Sequence, residues 1–253
     1  MSWRGGLCLL LGAMGAVGLA RPALAQASAE ERALLAETNL FATVPEQFHA
    51  RLAVRRSGSS RPMQIEIWRG GRDRLLARLE DARKASRFML QIGAEHYLIA
   101  PGARQPVKLG AGAASAGAVS LEQVLGLDVE RDLDIERTET SGRIVTFHLV
   151  ARPGTAAARA TPRARWVVDR TRKLPLRLDV VLADGRTARV VEFASFLAGH
   201  PRIPSRLVLK DVLRGGPPMT VEVEAFEPVE VPDGLFSLTD GTSRALLPSA
   251  SPR

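Results

Sequence analysis

The sequence predicts a mainly β (α+β) fold: one curved antiparallel sheet of roughly eleven strands with only two short helices to cover it. Three observations carry this reading. Apolar residues recur with period two over most of the chain after Pro45. The alternating runs are joined by short Gly, Asp or Ser turns, as hairpins are. Only two segments show helix signals, so so wide a sheet must curl around its cover or leave a hollow.

The elements follow in order. Residues 1–25 read as a cleaved signal peptide: Arg4 supplies the positive start, Leu7 to Ala20 is an uncharged apolar run, and Ala23-Leu24-Ala25 is a small-x-small cleavage pattern. The run is shorter than the ~20 residues a membrane span requires. Gln26 stands where a lipoprotein would need Cys, and the chain's single Cys, Cys8, lies within the leader, so the exported product is expected to be neither lipidated nor disulfide-bonded. Removing 1–25 takes away Arg4, Arg21 and no acidic residue, which lowers the formal net charge from +8 to +6.

The domain itself spans 26–238. Ala27 to Phe41 opens with Ser28 as N-cap and Glu31 three residues on, followed by Leu34, Leu35 and Leu40, a helix signature. Met63, Ile65 and Ile67 then alternate with Gln64, Glu66 and Trp68 up to a turn at Gly70-Gly71. Phe88, Leu90 and Ile92 follow, then Tyr97-Leu98-Ile99 stopped by Pro101. Gly110 to Gly117 holds only Gly, Ala and Ser and reads as a loop leading to a short helix, with Ser120 and Gln123 capping and Leu121, Val124 and Leu125 on one face. Strands resume with Asp132 to Thr138, Ile144 to Ala151, Trp166 to Asp169, Leu174 to Leu182, Thr187 to Phe196, Arg206 to Leu213 and Met219 to Glu227. In the fourth of these Leu176, Leu178, Val180 and Leu182 oppose Arg177 and Asp179; Val221 and Val223 oppose Thr220, Glu222 and Glu224. Such alternation predicts one apolar and one wetted face. Residues 239–253 carry no period and read as a disordered tail.

Composition and motifs exclude several functions. The basic residues are 31 Arg and four Lys, spread along the chain and interleaved with Asp and Glu, without the aromatic-lined stripe that nucleic acid requires. His49, His96, His148 and His200 stand isolated, so no metal set is expected. No nucleophile elbow is present. Asp128, Glu130, Asp132, Asp134 and Glu136 alternate as a solvated strand edge would. No catalytic residue, cofactor or metal is therefore expected, and the chain reads as a non-enzyme.

The order of segments resembles the outer-membrane lipoprotein-sorting family. Met63-Gln64-Ile65-Glu66-Ile67-Trp68 with Gly71-Arg72-Asp73-Arg74 is similar to that family's second and third strands. Tyr97-Leu98-Ile99-Ala100-Pro101 stands where the family has Trp-Leu-Tyr-x-Pro, and Leu121 to Asp128 resembles its short helix. Val167-Val168-Asp169-Arg170-Thr171 with Leu174-Pro175-Leu176-Arg177 resembles a later hairpin. Ile203-Pro204-Ser205-Arg206 and Pro232-Asp233-Gly234-Leu235-Phe236 match its last strands and end motif.

The resemblance implies a LolA/LolB-like unclosed barrel whose helices form a lid over an apolar cavity. It implies a monomeric periplasmic carrier that binds the acyl chains of lipoproteins or lipids for transfer to the outer membrane, with an inner-membrane transporter as a further partner. A regulatory sensor of the same fold, binding a membrane protein, is the alternative. No lid-locking Arg of the family matches a position here, so no functional residue is carried over. The expected cavity lining, on the concave face, is Met63, Ile65, Ile67, Leu90, Ile92, Leu176, Leu178, Val180, Val221 and Val223.

Overall fold

The computed structural model describes residues 27–59, 61–80, 86–93, 95–99, 106–109, 128–155 and 161–237. The segments read as a signal peptide, as the Gly110–Gly117 loop, as the Leu121–Leu125 helix and as a disordered tail lie outside them. After helix α1 (Ala29–Thr38) and the single turn α2 (Leu40–Thr43) come strands β1 (Gln47–Arg56), β2 (Met63–Gly70), β3 (Arg74–Glu80), β4 (Ser86–Ile92), β5 (Glu95–Ile99) and β6 (Val107–Leu109). A second helical turn, α3 (Val129–Asp132), leads into β7 (Leu133–Ser141), β8 (Ile144–Ala151), β9 (Arg163–Asp169), β10 (Leu174–Val181), β11 (Thr187–Phe196), β12 (Pro204–Asp211) and β13 (Met219–Pro228). A 3-10 turn over Asp233–Phe236 ends the described chain.

All thirteen strands form one antiparallel sheet in the order β6-β5-β4-β3-β2-β1-β13-β12-β11-β10-β9-β8-β7. The sheet is not closed, since β6 and β7 each lack an outer neighbour in that order. At about 4.8 Å per strand a flat sheet of this kind would spread over roughly 58 Å. Yet Ile65 of β2, Leu133 of β7 and Val221 of β13 belong to one buried cluster, which requires the sheet to curl. Curvature follows the register shifts of β1, β7, β10 and β11, since an unmatched residue bends a strand.

The sheet exceeds the expected count. β1, β3 and β6 match no segment read as a strand in the sequence. β3 reads Arg-Leu-Leu-Ala-Arg-Leu-Glu, with no clean alternation, because both of its faces are covered. Leu75, Ala77 and Leu79 face the main core, whereas Leu76 faces a second cluster with Trp68, Leu90, Ile99, Val231, Leu235 and Phe236. The expectation of one wetted face therefore fails over β2–β4, where the 229–237 segment straps across the outside. Arg74 fastens that strap through Asp233 at 2.6 Å, and its guanidinium lies over the Phe236 ring.

The acidic run also departs from the expected strand edge. Asp128 is the N-cap of α3, accepting from the Arg131 N–H at 3.2 Å, and Glu130 and Asp132 lie within that turn. Only Asp134 and Glu136 belong to β7, where Arg152 and Arg163 pair with them. No helix among the described residues is long and apolar enough to cross a membrane.

Candidate functional site: the concave face and its lid

α1 is built as its sequence requires. The Glu31 N–H donates to Ser28 Oγ at 3.1 Å and the Ser28 N–H to Glu31 Oε2 at 2.7 Å, a complete capping box. The Ser28 N–H holds the Glu31 carboxyl below its ordinary range. The expected helix to Phe41 is interrupted at Asn39, whose backbone is extended. That break frees the Asn39 side chain to donate to Asp128 Oδ1 at 2.8 Å, with both residues buried.

Three further contacts hold α1 down. Leu35 enters the main core. The Trp166 indole N–H donates to Thr38 Oγ1 at 3.2 Å, and Lys173 Nζ reaches Glu37 at 2.9 Å. A cover held by Leu35, the partly buried Leu34 and a few polar bonds is weakly fastened, since each such bond contributes about 1 kcal/mol net.

A small apolar cavity of about 40 Å³ lies between β1, β2, β12 and β13, lined by Val44, Phe48, Ala50, Leu52, Ile67, Ile203, Pro204, Leu207, Leu209, Val221, Val223 and Phe226. That is near the ~30 Å³ share of a single water in the liquid, too little for an acyl chain. A larger cavity of about 720 Å³ opens between α1, α3, β7 and the β2–β3 turn. Its floor, Leu35, Leu133 and Ile135, belongs to the same apolar core. Its rim carries Arg32, Arg72, Arg131, Arg152, Asp128, Glu130 and Asp134. Arg69 is the one buried basic residue among those described; its guanidinium lies over Phe48, and burial pushes its pKa below the ordinary Arg value.

The expected lining divides accordingly. Ile67, Val221 and Val223 line the small cavity. Met63, Ile65 and Leu178 face the same core. Val180 is buried opposite Ala164, a core residue, and so shares that face. Leu176 sits at the register shift between Pro175 and Arg177 and is half-buried. Leu90 and Ile92 are placed on the opposite face instead: Leu90 pairs with Leu76 and packs with Trp68 under the strap. One strand's alternation does not say which face is concave, and here β4's larger residues point outward.

Sequence reasoning missed β1 entirely, although Phe48, Ala50, Leu52 and Val54 alternate with His49, Arg51, Ala53 and Arg55 in period two. It also missed the Asn39–Asp128 clasp, which no local pattern announces. The four His are dispersed. His49 stacks on Trp68 and pairs with Glu66 at 2.9 Å, His148 approaches Glu139 at 3.2 Å, and His200 meets the Phe226 ring edge-on.

No protein-family profile and no curated protein matches the chain. Solved structures do. A LolA superfamily protein from Nitrosomonas europaea is 14% identical, with a TM-score of 0.64 over 81% of this chain and 96% of that one. A DUF1329 family protein from Desulfovibrio piger is 13% identical, with a TM-score of 0.62 over 81% and 95%. An outer membrane lipoprotein-sorting protein domain from Vibrio parahaemolyticus is 10% identical, with a TM-score of 0.58 over 82% and 94%. The fold is thus the LolA-like one.

Proposed function

We propose that this protein is a periplasmic carrier that shelters the acyl chains of a lipid or lipoprotein and moves them toward the outer membrane. The observation that carries the proposal is continuity: the floor of the open 720 Å³ cavity belongs to the same apolar core that the lid seals. A chain that enters there extends inward by displacing α1, exchanging its contacts with Leu35 for contacts with the sheet. Each methylene withdrawn from water contributes about 0.8 kcal/mol, so a few suffice to offset the polar bonds that hold the lid. Release reverses the exchange and leaves the closed core, which avoids an empty apolar hollow in water.

In this reading the charged rim orients the polar end of the cargo, the chain works as a monomer without catalysis or cofactor, and residues 1–25 export it. Its immediate donor is an inner-membrane transporter. The test is to isolate the protein from periplasm without detergent, record its native mass and then extract it with organic solvent. An excess mass that extraction removes, identified as acyl lipid, is the expected result. A clean mass, together with no uptake of an added fluorescent acyl probe, would defeat the proposal.

A further inference from the structure

The turns at one end of the central strands carry a feature that the concave face does not explain. Val212 and Leu213, adjacent in the β12–β13 turn, are 51% and 49% exposed, although most large apolar side chains of the fold are buried. They are held outward: the Val212 and Leu213 N–H groups both donate to the Ala188 carbonyl, at 2.9 and 3.4 Å, and the Ser57 N–H donates to the Pro218 carbonyl at 3.4 Å. These bonds tie the β12–β13 turn to the segment after β1 and to the start of β11.

The same three segments, 55–62, 182–189 and 210–219, hold Arg55, Arg56, Arg61, Arg186, Arg189, Lys210 and Arg214 against only Asp184 and Asp211. Glu222 and Glu192, further along the strands, pair with Arg55 and Lys210, so the end stays basic after these pairs are counted. Arg214 and Arg186 are more than two-thirds exposed at their side chains.

We infer that this end docks the protein on an anionic phospholipid surface, with Val212 and Leu213 as the inserted wedge and the surrounding Arg and Lys on the head groups. Two features favour a bilayer over a protein partner. The apolar element is a two-residue prominence, whereas a stable protein interface needs about 800 Å² per side. The charge around it is a net excess of cations spread over three segments and partly paired with Asp184, Asp211, Glu192 and Glu222, which suits a continuous anionic plane. The inference stands apart from the carrier reading, because it requires no cargo and no lid movement.

The test is flotation of the purified protein with vesicles of equal parts phosphatidylethanolamine and phosphatidylglycerol, against vesicles of phosphatidylcholine alone. Binding is expected to the former only, and to fall as salt screens the charges over about 10 Å. Val212→Ser with Leu213→Ser should weaken it about tenfold or more, given the apolar area withdrawn from the interface. Arg56→Gln, Arg61→Gln and Arg214→Gln together should weaken it further, each cation being worth roughly fivefold at an anionic surface. Arg170→Gln with Arg172→Gln, in the β9–β10 turn at the other end, should leave it unchanged. All these positions are exposed, so the variants are expected to fold, as circular dichroism would verify. Absence of binding at low salt, or equal loss from both ends, would overturn the inference whether or not acyl lipid co-purifies.

Discussion

Gly70 shows how tightly single residues position the outer strap. A Cβ built there would lie 2.3 Å from the Phe236 ring. Gly70→Ala must therefore push Phe236 out of the cluster beneath it, at a cost of about 1–3 kcal/mol. Phe236→Ala alone should cost about 3 kcal/mol by emptying its place. Since the second change removes the obstacle to the first, the double variant should be less destabilised than the sum. Urea unfolding of the four proteins measures this, and strict additivity would show that Phe236 is not seated against Gly70. Asn39 is the corresponding residue at the lid. Asn39→Ala leaves a buried Asp128 oxygen short of a donor, at about 1–3 kcal/mol, and detaches the C-terminal end of α1. Amide exchange should accelerate over Ala29–Thr38 and stay unchanged in β10–β12; uniform acceleration would mean that the clasp supports the whole domain.

Among the elements, α1 has a pH dependence whose sign can be worked out. The Glu31 carboxyl is held below its ordinary value of 4.5, first by the Ser28 N–H, so the carboxylate form favours the folded cap. A group with a lowered folded pKa contributes stability that is complete above its ordinary value and is lost as the pH falls through the lowered one. The α1 cap should therefore loosen from about pH 4.5 downward, and Glu31→Gln should remove that step, whereas Ser28→Ala keeps the backbone N–H and should retain most of it. Helix-resolved NMR titration reads it; a cap that is indifferent to acid would contradict the capping box. This element was legible in the sequence because its cap lies within four residues. The hairpins from β7 to β13 were legible because each alternates within itself; Thr187–Phe196 was read to the residue. β3 was not, since coverage of both faces erases its alternation, and Leu90 and Ile92 were assigned to the concave face although β4 turns them outward. Which face of a strand is concave depends on how a sheet of thirteen strands curls, and that is decided by partners far along the chain.

At the scale of the molecule, the carrier reading requires that one fold have two arrangements: the closed one described here and an opened one in which α1 leaves the sheet. The cavity of about 40 Å³ cannot hold an acyl chain, so a chain that extends inward from the open cavity of about 720 Å³ must displace side chains that fill the core, Leu35 of α1 among them. The sheet has no reason to change, because its strands are tied by continuous ladders, whereas α1 is fastened through a few residues, Leu34, Leu35, Glu37, Thr38 and its C-cap Asn39 among them. The only Cys of the chain is Cys8, so single reporters can be placed in the 26–253 form without removing native thiols. Labels at Ala33→Cys on the exposed side of α1 and at Arg172→Cys in the β9–β10 turn straddle the lid and the sheet end beside it. An added acyl probe should lengthen that distance, while a second pair at Arg172→Cys and Arg143→Cys, within the sheet, should stay fixed. Asn39→Ala should shift the lid pair toward the longer distance before any probe is added and raise probe affinity, because the energy that holds the lid down opposes binding. Probe uptake with an unmoved lid would place the acyl chain elsewhere and reduce α1 to a structural cover.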